Sequence, residues 1–272
     1  MRGVFAWLYV GLLVLFPFGN LLWRSVQAGA WPLADQLAKP EARHAMVLTA
    51  GVAGGTVLVS TIAGVLLALV LVRSHGAGRW VLSVLTDLPM TLSPVVVGFV
   101  LFALYRPDGW LGLLSGRVLN AWPALLLASL VVTLPLIARE LTPLLRTLGD
   151  AEEAAALTLG ASPWQTFRRV TLPALAPGLA RGMTLTLARA LGEFGAAIVV
   201  SGNIMGETQT LTLWVHQEAG DFNLAGAYAG SLVLAAASIA AFLVGEQIGH
   251  LRRDRGLFRI FFRQTAATAA NA

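Results

Sequence analysis

The sequence predicts an all-α, polytopic membrane protein of about six transmembrane helices, and three observations carry that reading. Of the 272 residues, 57% are hydrophobic and only 12% charged, with a mean hydropathy of +0.73. Most of such a chain cannot be the surface of a water-soluble domain. The apolar residues gather into six stretches, each near the roughly 20 residues that a helix needs to cross the hydrocarbon core. The basic residues fall unevenly between those stretches, as insertion into a membrane requires.

The first stretch, residues 4–23, follows Arg2 and precedes Ala28-Gly29-Ala30, a small-residue pattern like a signal-peptidase site. Trp7, Pro17, Asn20 and Trp23 make it longer and less uniform than a signal-peptide core, so it is expected to stay as a span. The others are residues 46–72, 81–104, 121–138, 179–201 and 227–245. With the N-terminus inside, the inner loops hold Arg2, Arg73, Arg79, Arg139, Arg146, Arg168, Arg169, Arg252, Arg253, Arg255, Arg259 and Arg263. The outer loops hold Arg24, Lys39, Arg43, Arg106 and Arg117, so the bias is twelve to five. It places both termini and the loop 139–178 in the cytoplasm and predicts a multi-pass protein of the cytoplasmic membrane. The loop 202–226 falls outside and carries Glu207, Glu218 and Asp221 without Lys or Arg. Trp23, Trp80, Trp110 and Trp122 fall near span ends, where indole rings settle among headgroups.

The chain reads as one transmembrane domain over 1–272, with its core at 46–245 and a basic cytoplasmic tail at 249–272 whose Ala-rich end, 265–272, is expected to be disordered. Small residues recur every fourth position at Gly51 and Gly55, at Ala188, Gly192 and Ala196, and at Gly226 and Gly230. That spacing lets helices approach closely, in this family of packings or in any bundle.

Several function classes are excluded by what is missing. No cysteine means no disulfide, thiolate metal site or thiol nucleophile. Lys39 is the only lysine and lies in no phosphate-binding glycine loop, so any ATP hydrolysis belongs to another chain. His44, His75, His216 and His250 lack zinc-site spacing, and no G-x-S-x-G occurs, so the expectation is no metal, no bound cofactor and no catalysis. The basic loops answer to membrane orientation rather than to nucleic acid.

The informative cytoplasmic segment runs from Glu152 to Pro173. Alanines and leucines after Asp150, Glu152 and Glu153 predict a short helix with acidic residues in its first turn, closed near Gly160. Ser162 caps a second helix with Pro163 at its first position; Trp164, Phe167 and Val170 give it an apolar stripe, and Leu172-Pro173 ends it. A capped hairpin projecting from a bundle suits docking into a groove on a soluble partner. The same pattern would also serve a loop lying on the lipid surface.

This segment resembles the E-A-A loop of ABC importer permeases: a glutamate, two alanines, a glycine, then isoleucine-x-leucine-proline. Gly160, Val170, Leu172 and Pro173 stand in register, and Ala155 and Ala161 belong to the same candidate docking loop; Ala154 occupies the usual glutamate position and Glu153 stands one residue early. With Asp87-Leu88-Pro89, Ser93-Pro94, Ala138-Arg139-Glu140-Leu141, the run from Arg189 to Ala196, Ser201-Gly202-Asn203-Ile204 and Gly206-Glu207-Thr208, residues 46–240 resemble the sulfate/thiosulfate permeases and their molybdate relatives. The resemblance implies a type I importer fold and import of a tetrahedral oxyanion, sulfate or thiosulfate before molybdate or tungstate. It also implies partners: two ATPase subunits using ATP and Mg, an extracytoplasmic oxyanion-binding protein, and a second permease, a paralogue or a second copy.

In the fifth stretch, Arg189 and Glu193 are four apart and would share a helix face with Gly182 and Thr186. A charged residue at a helix centre in a membrane costs roughly 2.5 to 3.5 kcal/mol, so the pair must face protein or water. Two readings stand: a translocation path on Arg189, or an ion pair joining helices. In the third stretch, Asp87, Pro89, Ser93 and Pro94 predict a kink, a gate or a static bend. The rival classes, a membrane enzyme and an ion-driven carrier, leave the docking loop unexplained.

Overall fold

The computed structural model describes residues 7–9, 11–149 and 151–270, without the side chains of residues 14, 28, 30, 31 and 248–270. Arg2 and Asp150 therefore lie outside the described residues, as do the side chains of the basic tail. Every regular element among the described residues is helical. A π-helical turn, Gly11–Leu15, leads into α1 (Phe16–Ala28); α2 (Ala30–Ala38), α3 (Pro40–Arg73), α4 (Gly76–Thr91), α5 (Pro94–Tyr105), the short α6 (Ser115–Val118) and α7 (Trp122–Leu148) follow. Then come α8 (Ala151–Thr158), α9 (Pro163–Thr166), α10 (Leu172–Leu191), the short α11 (Ala197–Val200), α12 (Leu211–Gly220) and α13 (Leu224–Ala270).

Four stretches are long and apolar enough to cross a membrane: Trp7–Gln27, Pro40–Arg73, Trp122–Leu148 and Leu224–Gln247. The α4–α5 pair makes a fifth if counted as one broken span. The expected sixth, α10, is 20 residues long but carries Arg181 and Arg189 and falls outside that set. At 34 residues α3 starts six residues before the expected boundary, because Pro40 is preset for a first helical position and Glu41 suits its first turn. The last helix runs to Ala270 across the segment expected to be disordered; alanine is a strong helix former.

The third stretch is not kinked but broken. The chain turns by 107° between α4 and α5. Pro89 sits inside α4 without ending it, whereas Pro94 opens α5 and pushes the residues before it out of the helical region, with Leu92 extended at φ −82° and ψ 147°.

The chain divides into two compact units, one of residues 1–52, 98–128 and 191–238, the other of residues 53–97, 129–190 and 239–272. In the second, α3, α7 and α10 close on Val65, Ala68, Ile137, Leu141, Leu145 and Leu175. Ile137 sets the spacing: a Cβ on Gly64 would lie 2.7 Å from its Cβ, and one on Gly182 would lie 3.2 Å from its Cα. Ser60 and Thr133 hydrogen-bond at 3.3 Å one turn away, so α3 and α7 run parallel in register. Close approach is thus made by Gly64 and Gly182, while Gly51, singled out by its spacing, faces nothing within 4 Å. In the first unit, α12 packs on α3 through Ala42, Ala45, Leu211 and Trp214. Gly230, at a predicted small-residue position, does admit Trp214 and Val215. The Thr49 hydroxyl accepts the Leu211 N–H at 2.8 Å and fixes how α12 begins.

Candidate functional site

The docking segment folds as its capping residues direct. Gly160 takes φ +84°, the left-handed conformation that glycine alone adopts at no steric cost. Its N–H donates to Leu157 O at 3.0 Å and the Ala161 N–H to Ala156 O at 3.1 Å, the bond pair of a Schellman close. No atom lies within 4 Å of a Cβ placed on Gly160, so conformation and not space requires glycine there. Next, Ser162 and Gln165 form a reciprocal capping box: Gln165 N–H to Ser162 Oγ at 3.3 Å, Ser162 N–H to Gln165 Oε1 at 2.9 Å.

The second helix does not end at Leu172-Pro173 as expected. A π-helical turn, Phe167–Thr171, carries it straight into α10. In an unbroken α-helix Pro173 would lack the N–H for Arg169 O and its ring would crowd that carbonyl; the wider turn before it relieves both. The docking helix therefore runs without a break into the long helix bearing Arg189, which has Pro177 inside it.

The segment's apolar residues divide between two directions. Phe167 is half-buried and packs against the Ile137 cluster, while Trp164, stacked on it with ring centroids 5.7 Å apart, is 67% exposed. Leu159 is 88% exposed and Leu157 is exposed beside it, with Ala154, Ala155 and Gly160. Val170 and Leu172 are half-buried, Ala161 likewise, and Pro173 is exposed. The exposed apolar side chains of the segment are thus Leu157, Leu159 and Trp164, and Phe167 of the expected Trp164 and Phe167 pair turns inward. Both leucines were visible in the sequence, but an Ala-Leu run gives no sign of which side lacks a neighbour.

Glu152 is exposed; Glu153 is placed differently from a simple helix-start charge. Its Oε2 accepts from Arg73 Nη2 at 3.1 Å and its Oε1 from the Thr171 hydroxyl at 2.5 Å. One carboxylate therefore ties α8 to the end of α3 and to the π turn.

Of the other predicted residues, Thr186 is fully buried on α10, in the unit that also holds Arg189. Arg189 and Glu193 do not share a helix face, because α10 ends at Leu191. Glu193 lies in the following turn, 4% exposed, where Oε1 accepts the Ala196 N–H at 2.9 Å and its carbonyl accepts from Thr212 Oγ1 at 2.9 Å. Asp87 is paired across helices: Arg139 Nε on α7 donates to its Oδ1 at 2.8 Å. Pro89 lies in α4, Ser93 is exposed at the break and Pro94 begins α5. The Arg139 partner was within reach of the sequence, but nothing local says which span lies beside which.

Comparison with known proteins adds to this geometry. Residues 60–251 match the model of the family described as binding-protein-dependent transport system inner membrane component. The chain is 40% identical over 244 residues to sulfate permease 2, chloroplastic, of Chlamydomonas reinhardtii, covering 88% of this chain and 66% of that one, just under two thirds of its length. It is 38% identical over 249 residues to the sulfate transport system permease protein CysW of Escherichia coli K12, covering 87% and 86% of the two chains. With CysT of the same bacterium it shares 33% over 236 residues, covering 85% of each. In structure it is similar to a chain of a bacterial ABC transporter involved in the import of the acidic polysaccharide alginate, with a TM-score of 0.72 at 17% identity over 91% of this chain and 92% of the other. That likeness establishes the type I importer permease fold.

Proposed function

The chain belongs to the binding-protein-dependent transport system inner membrane components, and from that premise we propose that it is one permease of an ATP-driven importer that carries sulfate or thiosulfate into the cytoplasm. The observation that carries the driving mechanism is a set of exposed apolar side chains, Leu157 and Leu159 at the close of α8 and Trp164 on α9, the helix that continues into α10. An apolar helix pair held by a Schellman close and a capping box seats in a groove of a soluble ATPase. A push there passes into α10, because the helical backbone runs without a break from Trp164 to Arg189. ATP and Mg act in the ATPase; this chain supplies the grip and the path.

The path residues follow from charge. Arg189, half-buried on a helix running through the bundle, supplies the guanidinium fork that suits a tetrahedral oxyanion, with Thr186 one turn below. Glu193 shapes the turn that ends α10, and the Asp87–Arg139 pair and the α4–α5 break form the hinge region. Sulfate is preferred because the named relatives are sulfate permeases. Resemblance to both CysW and CysT supports pairing with a paralogue, and an extracytoplasmic binding protein makes the first selection among oxyanions.

Reconstitution tests the reading: the chain in proteoliposomes with its second permease, ATPase and binding protein takes up radiolabelled sulfate when ATP is enclosed with the ATPase. Uptake without the ATPase, driven by an ion gradient, would favour a secondary carrier and overturn the proposal.

A further inference from the structure

The first turns of α4 and the last turns of α7, with Leu71 of α3, line an open cavity of about 180 Å³ around the Asp87–Arg139 pair. Arg79, Arg139 and Arg146 line it with Ser83, Thr86, Thr142, Leu71 and Ala138. Asp87 is the single carboxylate in the lining, so three guanidiniums face one acid. Asp87 occupies only the Nε of Arg139, at 2.8 Å, which leaves both Nη groups for another acceptor. Among the described residues neither Arg79 nor Arg146 has an ion-pair partner.

A cavity with surplus guanidinium forks calls for an acceptor-rich anion. We propose that it binds a tetrahedral oxyanion group, supplied either by the phosphodiester of an anionic lipid or by a free inorganic dianion. Arg79, Arg139 and Arg146 hold the oxygens, and Ser83 has a hydroxyl to add, whereas Thr86 and Thr142 spend theirs on the carbonyls of Leu82 and Ala138. All three arginines belong to the loops that the charge bias puts inside, where anionic headgroups concentrate.

The test uses the whole purified transporter and compares wild type with the double variant Arg79→Gln/Arg146→Gln and with Arg117→Gln, which removes a charge elsewhere. Native mass spectrometry with added phosphatidylglycerol or phosphatidylcholine reads the lipid arm. Thermal midpoints in sodium sulfate against sodium chloride at equal ionic strength read the free-anion arm. The wild type retains phosphatidylglycerol over phosphatidylcholine or is raised in midpoint by sulfate over chloride; the double variant loses that preference by roughly tenfold in affinity, and Arg117→Gln keeps it. Which arm responds names the source. Equal preference in wild type and double variant, or no anion preference in the wild type, overturns the proposal. Should the glutamine pair fail to assemble, Arg79→Lys/Arg146→Lys keeps the charge without the fork, and unchanged affinity in that variant would equally overturn it.

Discussion

Glu153 and Gly160 act on the docking segment by different means, and the difference is measurable. Glu153 holds three elements together through partly exposed contacts, and an ion pair of that kind contributes about 0 to 1 kcal/mol. Glu153→Ala should therefore leave the protein inserted and abundant while lowering ATP-coupled uptake several-fold, because the segment loses its tie to Arg73 and Thr171. Wild-type uptake per molecule inserted would show that the tie is ornamental. At Gly160 the requirement is φ +84° with open space around it. Alanine there should cost about 1 to 2 kcal/mol locally and reduce coupling in part. Glutamate, which adds bulk and charge beside Leu159, should abolish ATPase binding, as read by co-purification of the two proteins.

At the scale of elements, the π turn and the helix crossings make the sharper demands. Deleting Arg169 would restore α-helical winding with little change in the direction of the docking helix, since four α residues turn the chain about as far as five π residues, but it sets the Pro173 ring against the carbonyl four residues before it. Membrane insertion should survive and sulfate-stimulated ATP hydrolysis should fall; unchanged stimulation would mean that the π turn is dispensable. Crossing contacts separate two glycines that look alike in sequence. Gly64→Val puts side-chain atoms into Ile137 and should cost about 1 to 3 kcal/mol and much of the accumulated protein, whereas Gly51→Ala should accumulate normally. Expression quantified on the same blot decides between them. These elements also show what sequence carries. The long apolar stretches and the Ser162 and Gly160 caps were legible because composition and capping act locally. The π turn was not, since a proline after a short helix reads equally as its end; nor was the end of α10, since Arg189-Ala190-Leu191-Gly192-Glu193 keeps helical periodicity through a turn fixed by the Glu193 carboxylate and Ala196 N–H. Gly64 had no local mark either, because its partner Ile137 lies 73 residues along the chain.

For the whole molecule, the family is that of inner membrane transport components, and the proposed contact with a separate ATPase is the claim on which the rest depends. The chain contains no cysteine, so a single substitution gives a unique probe. Leu159→Cys, at the most exposed point of the docking face, should cross-link through a short bis-maleimide to a cysteine scanned along the ATPase groove, with a yield that changes when ATP is added. Trp110→Cys, in a loop predicted to lie outside, should give none. An ATP-sensitive cross-link from Leu159→Cys alone is the predicted result. A cross-link from Trp110→Cys, or none from Leu159→Cys in a complex that still couples ATP to sulfate uptake, would contradict the account.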